Sequence, residues 1–301
     1  MVSLNEHLQD IDDDVAKIVL AVADITDTIH AELPHRRGKA GSENIYGEEQ
    51  KALDVWTNDV LADALLKTGL VKTVISEELG EPLQNPDGTG SYTVTMDPLD
   101  GSSNIESNNL FGTIIGIHKE KDLLVPGKKQ VCAFYNLYGP INTLVYCAGK
   151  GVHEFVKGRK GSKDFLLGRE SMKLPDTGKL YGPGGLPKKW TPRFKTFVDW
   201  LVSEGKKLRY GGAFVGDFNQ VLIYGGFFGY PELVDKPEGK LRLVIECNPM
   251  SYIMENAGGK SSNGFKSILE IKPEHVDQRV PVYVGNKDII SKLEEIFSKS
   301  K

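Results

Sequence analysis

The chain has 301 residues, of which 40% are hydrophobic and 26% charged, and its 37 basic and 41 acidic side chains give a formal net charge of −4. This composition is typical of a soluble globular protein that is large enough to form a sizeable core and two lobes. The mild acidity argues against a general nucleic-acid-binding protein, which would normally carry a basic stripe on its surface.

Cysteine content and the first residues indicate a cytoplasmic protein. The three cysteines, Cys132, Cys147 and Cys247, are too few and too scattered for a disulfide framework or a thiolate zinc site. No run approaches the roughly 18 uninterrupted apolar residues of a membrane span, and neither a secretory signal nor an Arg-rich leader is present. We therefore expect a cytoplasmic protein that binds neither nucleic acid nor a membrane.

Hydrophobic periodicity predicts two helices at the start of the chain, followed by a series of short strands. Apolar residues recur at helical spacing over residues 3–33, and again over residues 49–68, where Gly69 ends the helix. The polar face of the first helix is acidic, so we expect it to pack on its own core or on a sister subunit rather than on a membrane. The β-type runs cover residues 73–75, 92–96, 111–118, 131–135, 142–147 and 153–156.

The second half of the chain alternates predicted strands and helices. Helical patterns cover residues 191–203, 213–224, 250–257 and 288–298, and strand patterns cover residues 240–245 and 280–284. Such alternation predicts an α/β layer. The polar, Gly- and Lys-rich stretch over residues 157–178 predicts a boundary between an N-terminal α+β lobe (residues 1–175) and a C-terminal α/β lobe (residues 176–301).

Acidic residues cluster directly after two of the predicted strands. Glu77 and Glu78 follow residues 73–75, and Asp97 and Asp100 follow residues 92–96. Carboxylates crowded at the edge of a core repel one another unless a cation neutralises them. A set of oxygen ligands without cysteine or histidine favours magnesium or manganese over zinc.

The second cluster carries a resemblance to a known family. Residues 97–103 read Asp-Pro-Leu-Asp-Gly-Ser-Ser, which resembles the signature of the magnesium-dependent, lithium-sensitive sugar and inositol phosphatase superfamily. Over nearly its full length the chain resembles the class I fructose-1,6-bisphosphatase and sedoheptulose-1,7-bisphosphatase family. The matching blocks are residues 53–54 with 58–59, 76–78, 97–105, 112–114, 208–210, and 240–242 with Glu246.

The resemblance implies a layered αβαβα fold of two lobes, with the metal loop in the first lobe and the sugar and distal phosphate site in the second. It also implies an enzyme that hydrolyses the 1-phosphate of a sugar bisphosphate with Mg²⁺.

The resemblance implies roles for the acidic residues. The carboxylates that match the family's metal ligands would hold two or three Mg²⁺ ions per site, with Mn²⁺ as a possible substitute: Glu77, Asp97, Asp100 and Glu246. Leu99 would add its backbone carbonyl. Glu48 stands where the family has an Asp that helps to hold the most weakly bound metal. Asp54 and Glu78 match the carboxylates that orient and deprotonate the attacking water.

The resemblance also implies which residues hold the substrate. Gly101 and Ser102 would hold the transferred phosphoryl group, and Lys240, Tyr210 and Tyr230 would bind the distal phosphate. Lys240 and Arg242 alternate along one predicted strand, so both should face the same side. Arg209 would reach into a neighbouring subunit's site, which implies a homodimer or homotetramer. Arg279 is a further cation, which we interpret as structural.

Departures from the family pattern bear on which bisphosphate is hydrolysed. Residues 182–186 read Gly-Pro-Gly-Gly-Leu, whereas fructose-bisphosphatases usually have an Asn in this region that binds the distal phosphate. Residues 226–231 and 246–250, by contrast, look like fructose-bisphosphatases. Residues 182–186 look closer to the sedoheptulose branch, and so do residues 138–140, 153–155, 217–220, 261–264 and 285–287. Because a missing side chain would also make room for a seventh carbon, we expect sedoheptulose 1,7-bisphosphate as the favoured substrate. The alternative is a fructose-1,6-bisphosphatase or an enzyme of dual specificity.

Two other hypotheses fit the sequence less well. An inositol-type or nucleotide phosphatase would share only the metal loop, and the blocks at residues 208–210 and 240–242 argue against it. A sugar-phosphate-binding regulator without catalysis would need a broken metal or water site, yet all the matching carboxylates are intact.

Overall fold

The computed structural model describes residues 2–32, 39–43, 49–87, 90–119, 124–158 and 164–299, and Glu48 lies outside them. The helices are α1 (Leu4–His7), α2 (Asp13–Ala23), α3 (Thr26–Glu32), α4 (Ala52–Lys67), α5 (Pro192–Ser203), α6 (Phe214–Tyr224), α7 (Asn248–Asn256) and α8 (Lys287–Lys299). Short 3₁₀ helices cover Leu8–Asp10, Ser102–Asn104, Gly127–Lys129, Pro187–Lys189 and Ile268–Glu270, and a π-helix covers Leu243–Cys247.

The strands of the first half are β1 (Lys39–Glu43), β2 (Glu49–Lys51), β3 (Val71–Ser76), β4 (Leu83–Gln84), β5 (Tyr92–Asp100), β6 (Phe111–His118), β7 (Gln130–Tyr138), β8 (Thr143–Cys147), β9 (Val152–Lys157) and β10 (Phe165–Arg169). Those of the second half are β11 (Leu180–Pro183), β12 (Lys207–Leu208), β13 (Gly226–Tyr230), β14 (Leu241–Arg242), β15 (Lys260–Ser262), β16 (Arg279–Val280) and β17 (Val282–Gly285).

Two sheets organise the described part of the chain. One has eight strands in the order β10-β9-β8-β7-β6-β5-β3-β4, and the other has five in the order β12-β11-β13-β17-β15. In the larger sheet β3 and β5 are parallel, and the remaining neighbours are antiparallel. The predicted lobe boundary at residue 175 falls between the two sheets along the chain, and the division into lobes stays a prediction.

Apolar side chains divide these elements into five layers. Helices α1–α4 pack on one face of the eight-stranded sheet. Helices α6 and α7 fill the space between that sheet and the five-stranded sheet. Helices α5 and α8 cover the outer face of the five-stranded sheet. The alternation of strand side chains shows the same division, since Phe227 belongs to the outer layer and Phe228 to the middle one. The predicted αβαβα fold is therefore confirmed.

Three predicted elements differ from the structure. The helix expected over residues 49–68 begins at Ala52, since Glu49–Lys51 form β2. The helix expected over residues 3–33 is interrupted, because the Asp12 carboxylate accepts the backbone N–H groups of Asp14 and Val15 and starts a new helix. The strand expected over residues 240–245 contains only Leu241 and Arg242, and the chain then turns into the π-helix. Periodicity did not distinguish a two-residue strand followed by a helical turn from a longer strand.

Two further expectations from the sequence concern the cysteines and membrane-spanning helices. Cys132, Cys147 and Cys247 are buried free thiols, and burial raises the pKa of all three. Among the described helices, none combines the length and the apolar character that crossing a bilayer requires.

Candidate active site

A cavity of about 220 Å³ opens where the carboxyl ends of β3 and β5 meet β14, the π-helix and the start of α6. It brings together most of the predicted site residues: Asp54, Glu77, Glu78, Asp97, Leu99, Asp100, Gly101, Ser102, Tyr210, Tyr230, Lys240, Arg242 and Glu246. Arg209 is exposed and is not among the described residues that line the cavity. Crevices beyond the carboxyl ends of parallel strands are common ligand sites, which agrees with this position.

Local strand pairing positions the two aspartates. Asp97 pairs with Ile114 and Asp100 with Gly112, so three steps along β5 match two along β6, which indicates a β-bulge. The Asp97 carboxylate accepts the Leu99 N–H at 3.0 Å, and the Thr113 hydroxyl donates to the Pro98 carbonyl at 2.8 Å. The bulge therefore turns Asp97 and Asp100 toward the same cavity.

Four carboxylates from distant parts of the sequence converge there. Ligand oxygens of Glu77, Asp97 and Glu246 lie within 4.8 Å of one another, and Asp100 lines the same cavity. Asp97 and Glu246 are each only 3% exposed, and Asp100 is 7% exposed. Such a set of buried oxygen donors fits a hard divalent cation.

The electrostatics of this cluster favour a bound cation. Burial raises the pKa of Asp97 well above its usual range, that of Asp100 to about 7 and that of Glu246 to about 8. The negative charge of Glu77 raises each of these pKa values further. A divalent cation would offset the repulsion among these buried carboxylates, so the residues present fit a metal ion.

Arg242 lies at the carboxylate end of the cavity. Its guanidinium forms an ion pair with Glu77 and lies 3.8 Å from Glu246, whose carboxylate also accepts the Arg242 backbone N–H at 2.6 Å. The side chain is 2% exposed. Arg242 was expected to face the distal phosphate beside Lys240, but the structure places its charge among the predicted metal ligands.

The start of α6 closes the cavity beside Asp100. The Asp100 carboxylate accepts the Val215 N–H at 2.7 Å, so one of the free amides of the first helical turn binds this side chain. Gly101 follows with a φ of +78°, and a Cβ at this position would lie 2.3 Å from the Cβ of Ala213. The loop can approach α6 this closely only with glycine at position 101.

Asp54 and Glu78 line the cavity from the side of the larger sheet. Asp54 lies in the first turn of α4 and is 5% exposed, and Glu78 follows β3 and is half-buried. Both carboxylates therefore line the same cavity as the metal-ligand set, where a nucleophilic water would have to be held.

The opposite end of the cavity carries aromatic and basic side chains. The Lys240 ammonium lies 5.2 Å from the centre of the Tyr230 ring, and Tyr210 also lines the cavity. Arg279 also lines the cavity, and its guanidinium donates to the Lys240 carbonyl. This end has the positive charge and the hydroxyl donors that a phosphate group needs.

Sequence reasoning missed two side chains that hold the loop after Tyr210. The Asp217 carboxylate accepts the N–H groups of Gly211 and Gly212, at 2.6 and 3.1 Å, and the Asn104 amide donates to the Gly211 carbonyl at 2.8 Å. Burial raises the pKa of Asp217 to about 6. Asn104 stands within the metal-loop block, so its position was a usable signal, whereas nothing local marks Asp217.

The glycines at residues 182–185 do not support the predicted room for a seventh carbon. They are not among the described residues that line the cavity. A Cβ at Gly182 would lie 2.4 Å from the Arg209 carbonyl oxygen, and one at Gly184 would lie 2.7 Å from the Tyr230 ring. These glycines permit close packing of neighbouring segments, so the physical reason given for the larger sugar does not hold.

Family profiles match two consecutive parts of the chain. The profile for the N-terminal domain of fructose-1-6-bisphosphatase matches residues 4–167, and the profile for the C-terminal domain matches residues 174–298.

Individual relatives and solved structures agree with these matches. A class 1 fructose-1,6-bisphosphatase from Trichlorobacter lovleyi is 46% identical over 87% of this chain and 83% of its own length. The one from Geobacter sulfurreducens is 44% identical over 97% and 95% of the two chains. The holo crystal structure of Leishmania major fructose-1,6-bisphosphatase has a TM-score of 0.92 at 30% identity, and 99% of each chain is covered.

Proposed function

Because this chain belongs to the class 1 fructose-1,6-bisphosphatase family, we propose that it hydrolyses the 1-phosphate of fructose 1,6-bisphosphate in a Mg²⁺-dependent reaction. The observation that carries the proposal is the cavity itself. Carboxylates at one end fit a divalent cation, and Lys240 with two tyrosines lies at the other end.

The proposal departs from the sequence-based preference for sedoheptulose 1,7-bisphosphate. The relatives reported above are named for fructose 1,6-bisphosphate, and Gly182 and Gly184 are required for packing. Both observations support fructose 1,6-bisphosphate, which the sequence analysis gave as the alternative substrate. Sedoheptulose 1,7-bisphosphate remains the comparison substrate for the test below.

Glu77, Asp97, Asp100 and Glu246 would hold the Mg²⁺ ions, with Leu99 adding its backbone carbonyl. Bound there, the cations would neutralise the phosphate oxygens and stabilise the charge that develops in phosphoryl transfer to water. The raised pKa values of Asp97, Asp100 and Glu246 would return toward their usual range in that state. Glu48 keeps its proposed role at the weakest metal position, although it lies outside the described residues.

Other residues of the chain would activate the water and hold the two phosphate groups. Asp54 and Glu78 would orient the water and take its proton. The backbone amides of Gly101 and Ser102, with the buried guanidinium of Arg242, would hold the reacting phosphoryl group. Lys240, Tyr210 and Tyr230 would fix the distal phosphate, so that the scissile bond lies at the carboxylate end.

We also propose that the enzyme is a homo-oligomer in the cytoplasm. Arg209 is exposed outside its own cavity, and its neighbours Leu208 and Tyr210 are 54% and 46% exposed. An apolar, cation-bearing rim of this kind suits a contact with a second copy. Sedimentation velocity would report a dimer or a tetramer, and a monomer at micromolar concentration would contradict the assignment of Arg209.

The experiment that tests the function measures phosphate release from both bisphosphates with MgCl₂ and with EDTA. We expect a higher kcat/KM for fructose 1,6-bisphosphate and loss of turnover in EDTA. Asp100→Asn and Glu77→Gln should each lower kcat by about 100-fold or more, because the cations lose a ligand.

The matched control is Glu81→Gln, which removes an exposed carboxylate that does not line the cavity. It should leave turnover unchanged. A clear preference for the seven-carbon sugar would overturn the substrate assignment, and wild-type activity of Asp100→Asn at saturating Mg²⁺ would refute the site.

A further inference from the structure

Two histidines and a glutamate meet in a second cavity, beside the N-terminal segment. His7 ends α1, His153 lies on β9, and Glu170 directly follows β10. One potential ligand atom from each of these side chains lies within 4.8 Å of the other two. They line a cavity of about 210 Å³, which shares none of its described lining residues with the candidate active site. The cluster is therefore separate from the carboxylates that fit Mg²⁺.

The contacts of His7 favour a ring orientation that suits a metal ligand. Its Nδ1 lies 2.5 Å from the hydroxyl oxygen of Tyr146, and its Nε2 lies 4.0 Å from the carboxylate of Glu170. When Nδ1–H donates to the Tyr146 oxygen, the ring carries its lone pair on Nε2, on the side of Glu170. Metal-binding histidines normally have such a partner on the other ring nitrogen, because it fixes the tautomer and the ring plane.

His153 presents a lone pair to the same region. The backbone N–H of Ser171 donates to Nδ1 of His153 at 3.3 Å, so the neutral ring carries its proton on Nε2 and its lone pair on Nδ1. Ser171 directly follows Glu170, and this lone pair therefore lies beside the segment that carries the carboxylate. The contact is longer than the usual protein hydrogen bond, so a metal bond can replace it at little cost.

Burial and charge in the cluster favour a shared cation. The centres of the His7 and His153 rings are 4.5 Å apart, and the two side chains are largely buried. Protonating both rings would place two like charges next to each other, whereas two neutral rings can bind one metal ion without that repulsion. Together with the negative charge of Glu170, two neutral rings form a set of donors that suits a divalent ion.

The kinds of donor atom select the class of metal. Two imidazole nitrogens and one carboxylate oxygen suit zinc and the neighbouring transition-metal ions, whereas Mg²⁺ prefers oxygen ligands alone. Three protein ligands leave one position of a tetrahedral zinc ion for water, as in open zinc sites. Glu170 is 66% exposed, so this position is accessible from solvent.

We propose that His7, His153 and Glu170 form a second metal site, which binds one Zn²⁺ ion per chain. The ion would join α1 to the β9–β10 edge of the larger sheet. The N-terminal segment already pairs with this edge, since the Leu167 N–H donates to the Val2 carbonyl at 2.9 Å. Because the three ligands come together only in the folded chain, the ion stabilises the folded state.

The test titrates full-length, metal-free protein with ZnCl₂ in a calorimeter, in the presence of saturating MgCl₂. We expect one Zn²⁺ per wild-type chain. Glu170→Gln, His7→Gln and His153→Gln should each weaken zinc binding by at least about 10-fold, because one ligand is lost. Since the Glu170 side chain is exposed, Glu170→Gln tests the site without disturbing the core.

A subtler variant tests the orientation of His7. Tyr146→Phe removes only the hydroxyl that contacts Nδ1, and it should weaken zinc binding by about 10-fold although every ligand remains. Thermal unfolding gives a second readout. ZnCl₂ should raise the Tm of the wild-type protein, and it should leave that of His153→Gln unchanged.

Two controls separate this site from other zinc-binding groups. His275 is an exposed histidine that lies beside the carboxylate of Asp277 and outside the cluster, so His275→Gln should bind Zn²⁺ like wild type. Glu77→Gln changes the carboxylate cluster of the candidate active site, and it should also keep the zinc affinity of the wild type.

Three outcomes would overturn the inference. Wild-type protein could bind no Zn²⁺ in MgCl₂, or the three ligand variants could bind it as tightly as wild type. Zinc binding that is lost in Glu77→Gln would place the ion at the carboxylate cluster instead. None of these results concerns phosphate release from a bisphosphate, so the proposed function is decided by its own experiment.

Discussion

Gly101 shows how the backbone of a single residue connects the metal loop to the rest of the site. Its left-handed conformation turns the chain directly after Asp100, and its missing side chain admits Ala213 at the start of α6. The neighbouring Val215 amide then reaches the Asp100 carboxylate. The glycine in the motif therefore serves both turn geometry and close approach.

Replacing Gly101 by alanine should abolish most activity. The left-handed conformation costs about 1–2 kcal/mol for a residue with a Cβ, and the collision with Ala213 adds about 1–3 kcal/mol. We expect both a lower free energy of unfolding in urea and a kcat reduced by at least tenfold, because the loop and α6 must separate.

Gly205→Ala provides the control for this change. Gly205 has a similar φ of +67°, but a Cβ there would meet nothing within 4 Å. This variant should lose about 1–2 kcal/mol of stability and keep its activity. Adding Ala213→Gly to Gly101→Ala should restore part of the activity, and a double variant as inactive as the single one would contradict the steric explanation.

The sequence located the carboxylates but not all of the cations around them. Glu77, Asp97 and Asp100 each lie at or directly after a strand with a clear hydrophobic pattern, so their burial at one edge could be predicted. Arg279 could not be assigned in this way, because β14 and β16 have two residues each and carry no periodicity. Their pairing is a tertiary property, and only the structure reveals it.

At the scale of elements, α6 organises both ends of the cavity. The Val215 N–H in its first turn donates to the Asp100 carboxylate, and Asp217 in the same turn accepts the Gly211 and Gly212 amides. The helix itself was predicted from periodicity over residues 213–224, and the structure begins it one residue later. The periodicity could not predict the contacts with Asp100, Gly211 and Gly212, because polar groups in the first turn of α6 make them and its apolar face does not.

Asp217→Asn should therefore impair substrate binding more than chemistry. Its amide would present an NH₂ group to one of the two backbone N–H donors, and one hydrogen bond to the loop of Tyr210 would be lost. We expect KM to rise about tenfold, with a smaller change in kcat and a stability loss of about 1–3 kcal/mol. Asp199→Asn, on the exposed face of α5, should behave like wild type. A change confined to kcat would contradict a positioning role.

At the scale of the whole molecule, the five layers bring acidic residues from far apart in the chain into one buried cluster. Asp97 and Asp100 come from the larger sheet, and Glu246 comes from the π-helix in the middle layer. Folding therefore brings several carboxylates close together, which lowers the free energy of unfolding of the metal-free protein. The layered architecture was predicted from the family resemblance, whereas the extent of carboxylate burial became visible only in the structure.

This burial predicts how the stability of the metal-free protein depends on pH. The pKa of Glu246 rises from 4.5 to about 8 and that of Asp100 from 3.8 to about 7 on folding, with burial as the main cause. Between each pair of values the folded state binds more protons than the unfolded state, so the free energy of unfolding falls as pH rises. In EDTA, stability should therefore decline from about pH 4 to pH 8.

Saturating Mg²⁺ should reverse this trend, because the cations bind the deprotonated carboxylates of the folded state and release their protons. Urea denaturation at pH 5, 6.5 and 8, with EDTA and with MgCl₂, measures both slopes. Glu246→Gln should flatten the decline in EDTA, since its side chain no longer titrates, while the exposed Glu81→Gln should keep it. A metal-free protein that became more stable between pH 5 and pH 8 would show that the carboxylate cluster is not a source of charge repulsion. The raised pKa values of Asp100 and Glu246 would then be wrong, and so would the metal assignment that depends on them.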